Sequence, residues 1–136
     1  MALQFSVAVR NASLDAFETT TGASAILEIR TGSPPANCAA ADSGTLLASC
    51  SLPSDWMNAA SGGTKAKSAS AWEDTSANNP GVAAHFRIKD SGGTTCHAQG
   101  TVTASGGGGD MEVDNTSFAS GQAFSVTTFT LTAGNA

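Results

Sequence analysis

The chain has 136 residues, a net charge of −5 from six Lys and Arg against eleven Asp and Glu, and a pI near 4.6. This balance excludes the cationic footprint that nucleic acid requires. Charged residues make up only 12% of the chain, against about 25% in an average domain, while Ala, Gly, Ser and Thr together exceed half of it and Tyr is absent. A surface so small and neutral guards poorly against self-association, and it suits a protein that lives in contact with other protein. At 13.5 kDa the chain is sized for one β domain, residues 23–136, preceded by an N-terminal arm with a short helix, residues 1–22.

No apolar run is long enough to span a bilayer, so no membrane partner is expected. Met1–Arg10 has neither a basic region nor a long apolar stretch, so no secretory signal is expected there. Cys38, Cys50 and Cys96 cannot all pair within one chain, and their spacings fit no zinc pattern. Three reduced thiols are expected; a Cys38–Cys50 bridge is the alternative. A cytoplasmic product that later joins a larger object fits these features.

Leu3, Phe5, Val7 and Val9 alternate as in a strand. A helix follows between Asn11 and Thr20, with Leu14 and Phe17 on one face and Gly22 as its stop; a start near Ser6 would absorb the apparent strand. Residues 25–30 read as a strand. Thr31–Gly44, with Pro34-Pro35, reads as a long loop. Thr45–Leu52 is a strand, and Ser54 or Asp55 could cap a helical turn carrying Trp56 and Met57. Thr64–Trp72 is extended. Val82–Lys89 alternates most cleanly, with Val82, Ala84, Phe86 and Ile88 inward and His85, Arg87 and Lys89 outward.

Asp90–Gly93 reads as a hairpin turn leading into Thr94–Ala104, where Cys96, Ala98 and Gly100 face inward and His97 and Gln99 outward. Gly106–Gly109 is a flexible connection, and Met111–Val113 a short strand. Ala123–Thr132 changes parity, which a one-residue bulge near Thr127-Thr128 explains. Many short strands without βαβ alternation predict a mainly β protein, an antiparallel sandwich with a short N-terminal helix.

No catalytic constellation emerges. A turn centred at Ser91-Gly92 puts His85 opposite Ala98 and close to His97. Two imidazoles on one face could hold a metal, but no third ligand presents itself, so outward-facing contact residues are the expected reading. Asp110, Glu112 and Asp114 share a face if extended. They suit a solvated acidic edge or a docking patch for a basic partner better than a calcium site, for they lack the EF-hand spacing. The Gly106–Gly109 run has no Lys-Ser/Thr of a phosphate loop, and no G-x-S-x-G elbow occurs. Trp56 and Trp72 read either as plugs at the ends of the sandwich or as surface aromatics that touch sugar or protein. No catalytic residue, metal or cofactor is therefore expected.

Arg10-Asn11-Ala12 through Leu14-Asp15, Pro35-Ala36-Asn37-Cys38 through Gly44 and Leu52-Pro53-Ser54-Asp55-Trp56-Met57 form a distinctive set of strings. So do His85-Phe86-Arg87-Ile88, Gly100-Thr101-Val102-Thr103 and Gly106-Gly107-Gly108-Gly109-Asp110-Met111. In these the chain resembles small virion structural proteins of tailed bacteriophages, of the cement or decoration class. The resemblance implies a jelly-roll-like β domain, no cofactor and no catalysis. It further implies a place on the capsid surface, bound to the major capsid protein as a dimer or larger oligomer. A tail or fibre module that binds a receptor or carbohydrate is the alternative. Candidate partner contacts are Leu3, Phe5, Arg10, Trp56, His85, Arg87, His97, Asp110, Glu112 and Asp114. The segment before Gly22 and the tail Ala133–Ala136 are expected to be contact arms, and threonine-rich strands to suit sheet-edge contacts with a neighbour.

Overall fold

The computed structural model describes residues 2–134. One helix, α1 (Val7–Thr21), precedes ten strands. Ser6 caps α1, its Oγ accepting from the Val9 amide at 3.3 Å, and Gly22 ends it at φ +92°, a conformation that costs glycine least. The apparent strand alternation of Leu3–Val9 is therefore overridden from Val7 onward. No helical turn forms at Trp56-Met57; Met57 instead bridges Lys67 as in a strand.

The strands are β1 (Ile26–Arg30), β2 (Leu46–Ser51), β3 (Thr64–Ala66), β4 (Glu73–Asp74), β5 (Gly81–Val82), β6 (His85–Lys89), β7 (Cys96–Ala104), β8 (Met111–Val113), β9 (Ser117–Phe118) and β10 (Phe124–Thr132). The main sheet runs β2-β1-β6-β7-β8-β10-β3, with β4 also paired to β10; β5 and β9 form a separate ribbon. The sheet curls back on itself. The Asp74 carboxylate of β4 accepts from the Ser49 amide of β2 at 3.1 Å, and the Asn78 amide reaches the Leu47 carbonyl at 2.7 Å. The mainly β architecture with a helix at its start is thus as the sequence predicts.

Pairing is antiparallel throughout this sheet except between β7 and β8, which run parallel. Parallel neighbours ordinarily need a crossover of about a dozen residues or more. Here residues 105–110 suffice, because Gly106 and Gly108 adopt positive φ and a Cβ on Gly107 or Gly109 would collide with Thr103. The glycine run is consequently a defined turn and not the flexible connection expected. The Glu112 carboxylate fills it, accepting from the Gly106 and Gly108 amides at 2.8 and 3.2 Å. The turn is thus an anion nest occupied by the chain's own side chain.

The core lies between the faces of the curled sheet: Leu27, Ile29, Leu47, Phe86, Ile88, Met111, Val113, Val126 and their neighbours are buried. An aromatic chain crosses it from helix to sheet. Phe17 meets Trp56 edge-on at 5.4 Å, Trp56 meets Trp72 at 5.7 Å, Trp72 meets Phe129 at 5.6 Å, and Phe129 meets Phe86 edge-on at 5.5 Å. Each such pair contributes about 0.5–1.5 kcal/mol beyond the area it buries. The register shift between Val126 and Thr128 is the expected bulge, and it lets both Val126 and Phe129 face inward.

Candidate functional site

Residues 31–45 form a loop whose ends are tied together. The Thr31 amide donates to the Thr45 carbonyl at 3.1 Å, and the Thr45 amide to Thr31 Oγ1 at 2.8 Å. The loop folds over the outer face of β1, β6 and β7, and beneath it lies a layer of paired charges. Asp42 is the hub: Arg30 Nη2 reaches it at 3.1 Å, Lys89 Nζ at 2.7 Å, and Arg87 Nη1 also donates to it. Glu28 accepts from Arg30 Nε at 2.9 Å and from Lys89 Nζ at 3.1 Å. Arg87 donates further to the Ala40 carbonyl at 3.1 Å and the Cys38 carbonyl at 2.8 Å. Burial opposes ionisation of Asp42, but the hydrogen bonds from Lys89 and Arg87 outweigh it and hold its carboxyl below the usual range. Burial likewise acts against the Arg87 charge, and Cys96 and Asp42 more than restore it.

The layer holds three cations and two carboxylates, one positive charge in excess. A cavity of about 700 Å³ opens above it, lined by residues 38–42, Arg87, Lys89 and residues 93–96. Arg87 and Lys89 form its floor, yet their donors already meet protein acceptors. The layer therefore fastens the loop to the sheet.

His85, Arg87 and Lys89 stand on the outer face of β6 as predicted, but they are buried because the loop covers that face. They are therefore not exposed contacts. Arg87 Nε donates to Cys96 Sγ. His85 Nδ1 lies 2.7 Å from the Gly32 carbonyl; a carbonyl only accepts, so Nδ1 carries the proton. The two histidines do not meet. The turn is longer than expected: Asp90 caps it, Oδ1 accepting from the Thr94 and Thr95 amides, and His85 pairs with Thr101. The register also shifts between Ile88 and Lys89, so that Lys89 pairs with Cys96 and Ile88 with Ala98. His97 is the extra residue. It borders a hollow beside Ala16, Phe17 and Thr20 of α1, and Cys96 joins the outer polar face, against expectation.

The three carboxylates of the acidic segment each bind backbone or hydroxyl groups nearby. Asp110 Oδ2 accepts from the Thr101 amide at 2.9 Å and Thr101 Oγ1 at 3.0 Å. Glu112 Oε1 takes the Thr128 hydroxyl at 3.0 Å. Asp114 Oδ1 takes the Ser125 amide at 3.1 Å. Among the described residues no group of three or more His, Cys, Asp and Glu is placed to hold a metal ion.

A second cluster fixes α1. Lys65 of β3 is buried; its Nζ lies 2.7 Å from Asp15 Oδ1, 2.9 Å from Glu18 Oε2 and 2.9 Å from the Asn58 carbonyl. Burial works against the Lys65 charge, and the two carboxylates overcome it and raise its affinity for protons. Arg10 Nε donates to the Ala133 carbonyl at 2.7 Å, tying the helix to the chain beyond β10. The rest of the expected C-terminal arm, residues 135–136, lies outside the described residues. Trp56 is buried and donates from Nε1 to the Gly22 carbonyl at 3.0 Å, so it offers no surface to a partner. Leu3 and Phe5, by contrast, are 74% and 49% exposed, and Val7 and Val9 half exposed beside them.

The charged layer itself went unforeseen. A signal was present: three of the six cations stand on β1 and β6, an improbable concentration for solvated charges in so weakly charged a chain. Comparison with protein-family models, with curated proteins and with solved structures finds no match to the chain.

Proposed function

We propose that this protein is a non-catalytic structural component of a phage head, a decoration protein that binds the major capsid protein lattice from outside as a dimer or larger oligomer. The observation that carries the reading is a set of exposed apolar side chains, Leu3 and Phe5 in the segment before α1 and Val7 and Val9 in its first turn, an apolar ridge leading into a helix that Lys65 clamps to the sheet. Large apolar side chains left exposed close together in the chain mark an interaction surface, and a rigid mount reduces the ordering cost of using it. The low charge and the resemblance of the sequence to cement proteins agree with this. Repetition over a lattice lets modest individual contacts sum to firm attachment. Sheet-edge addition is less favoured, since the 74–79 segment flanks β2 and the 57–61 segment bridges β3 and Lys67.

The carbohydrate-binding alternative relies on Trp56 and Trp72 as stacking platforms, and both are buried. Replacing Leu3 and Phe5 together by Ser tests the proposal. Binding to purified heads is expected to fall at least tenfold while the melting temperature stays unchanged. Undiminished binding refutes the ridge as the contact. Recovery of the protein from virions at far fewer copies than the major capsid protein refutes head decoration itself.

A further inference from the structure

The loop over β6 and β7 brings two cysteines to one place. Cys38 sits in a turn ordered by Asn37, whose Oδ1 accepts from the Ala39 and Ala40 amides at 2.9 and 3.0 Å. Cys96 stands at the start of β7 on the outer face, put there by the bulge at His97. One guanidinium binds both residues: Arg87 Nη2 donates to the Cys38 carbonyl at 2.8 Å and Arg87 Nε to Cys96 Sγ at 3.3 Å. Cys96 interacts electrostatically with the Cys38 thiol. Both cysteines are partly exposed and line the cavity of about 700 Å³, which admits a small reagent. Cys50 is buried on β2, where burial first, then Asp74 and Glu73, push its thiol up to about 12.

We infer that Cys38 and Cys96 are a redox-active pair that closes to an intramolecular disulfide on meeting a small-molecule disulfide, stapling the 31–45 loop to β7. The roles of the two sulfurs differ. Cys96 Sγ accepts a hydrogen bond from the Arg87 cation, which places it for the first attack, while burial and then Cys96 raise the Cys38 thiol to about 11. Cys96 loses its proton to solvent and its Sγ attacks one sulfur of the reagent. A mixed disulfide forms, and the first reagent thiolate leaves and is protonated. Cys38 then gives up its proton and attacks Cys96 Sγ, expelling the second reagent thiolate, which is protonated in turn. Two protein thiols are oxidised, and one reagent disulfide is reduced to two thiols. The staple encloses a long stretch of chain, from Cys38 to Cys96, and such closures stabilise most.

Oxidised glutathione at mildly alkaline pH, followed by alkylation and non-reducing peptide mapping of the full chain, tests this. The expected product has Cys38 joined to Cys96 within one chain and no interchain disulfide, Cys50 alkylated only after unfolding, and a melting temperature raised by about 10 °C and restored by dithiothreitol. Cys50→Ala retains the cross-link. Cys38→Ser accumulates a glutathione adduct on Cys96, while Cys96→Ser acquires its adduct on Cys38 at least tenfold more slowly. A Cys38–Cys50 link, an interchain dimer, or Cys38 and Cys96 both still alkylatable after prolonged exposure overturns the pair. Equal adduct rates in the two serine variants overturn the assigned order of attack. The mapping of the unmodified sequence decides the first point even if a variant does not fold.

Discussion

Arg87 of β6 and Asp42 of the covering loop are forty-five residues apart in sequence and form a direct ion pair. The Arg87 side chain is 2% exposed and the Asp42 side chain 32%, so the cation depends on this partner and two neighbouring carbonyls for its charge to be tolerated there. Breaking a buried pair from one side commonly costs about 3–5 kcal/mol. Because Asp42 is partly exposed, Asp42→Ala is expected to lower unfolding stability by about 2–3 kcal/mol. Urea denaturation measures the loss, and limited proteolysis should show the first cuts falling within residues 31–45.

The latch on α1 has a pH window with two edges. Hydrogen bonds from Lys65, then from the Ala60 amide, lower the Asp15 carboxyl from its ordinary 3.8. A depressed carboxyl stabilises the fold above its unfolded value and loses that contribution as pH falls through the folded one. Lys65 is raised above its ordinary 10.5, so its contribution is present below that pH and is lost as pH rises through the folded value. Amide exchange across Val7–Thr21 should therefore accelerate in strong acid and again in strong base. Asp42, also lowered from 3.8, adds to the acid edge. Acceleration at one edge alone would show that the pair does not act as a unit.

Lys65→Met replaces the cation with an apolar side chain of similar length and leaves the half-buried Glu18 carboxylate with the Met57 amide but no counter-charge. The expected loss is about 2 kcal/mol, below that of a fully buried pair because Asp15 remains open to water. Fluorescence of Trp56, which touches Phe17 of the helix, should shift to the red as α1 loosens.

Gly100 of β7 stands against both the core and the acidic segment. A Cβ there would lie 2.8 Å from Asp110 Oδ2 and 2.9 Å from Phe86 Cε1. Gly100→Ala is expected to cost about 1–3 kcal/mol by overpacking. It should also weaken the bond between Asp110 and the Thr101 amide, seen as faster exchange of that amide. Unchanged stability would mean that Phe86 can withdraw freely.

The strands whose apolar residues recur with period two were legible because burial on one face imposes that period: β1, β2 and β10 fell where alternation put them, and the parity change in β10 marked its bulge; β6 follows the alternation only from His85 onward, since Val82, expected inward, lies in the β5 ribbon and is exposed. Parity failed in β7, where Cys96 is the one apolar residue ahead of the bulge and no second one exposes a change at His97, and Cys96 was consequently grouped with Ala98 on the wrong face. Outward-facing was also equated with solvent-facing. His85, Arg87 and Lys89 obey the alternation yet are covered, because the cover comes from residues 31–45, whose own sequence carries no periodicity. The N-terminal helix was half-read: a capping serine at Ser6 competed with an alternating pattern, and the decisive contribution, Lys65 binding Asp15 and Glu18, comes from residues far along the chain.

β10 pairs with β8, β4 and β3, and the segment just beyond it is held by Arg10 near the other terminus. During synthesis these pairings must wait until residues 124–133 clear the ribosome. Until then the sheet lacks the strand that three others share, and the inward face of β8, Met111 and Val113, stands open to water. Such late, non-local closure makes for slow folding and an aggregation-prone nascent state, so the chain should depend on chaperones far more while being made than after release.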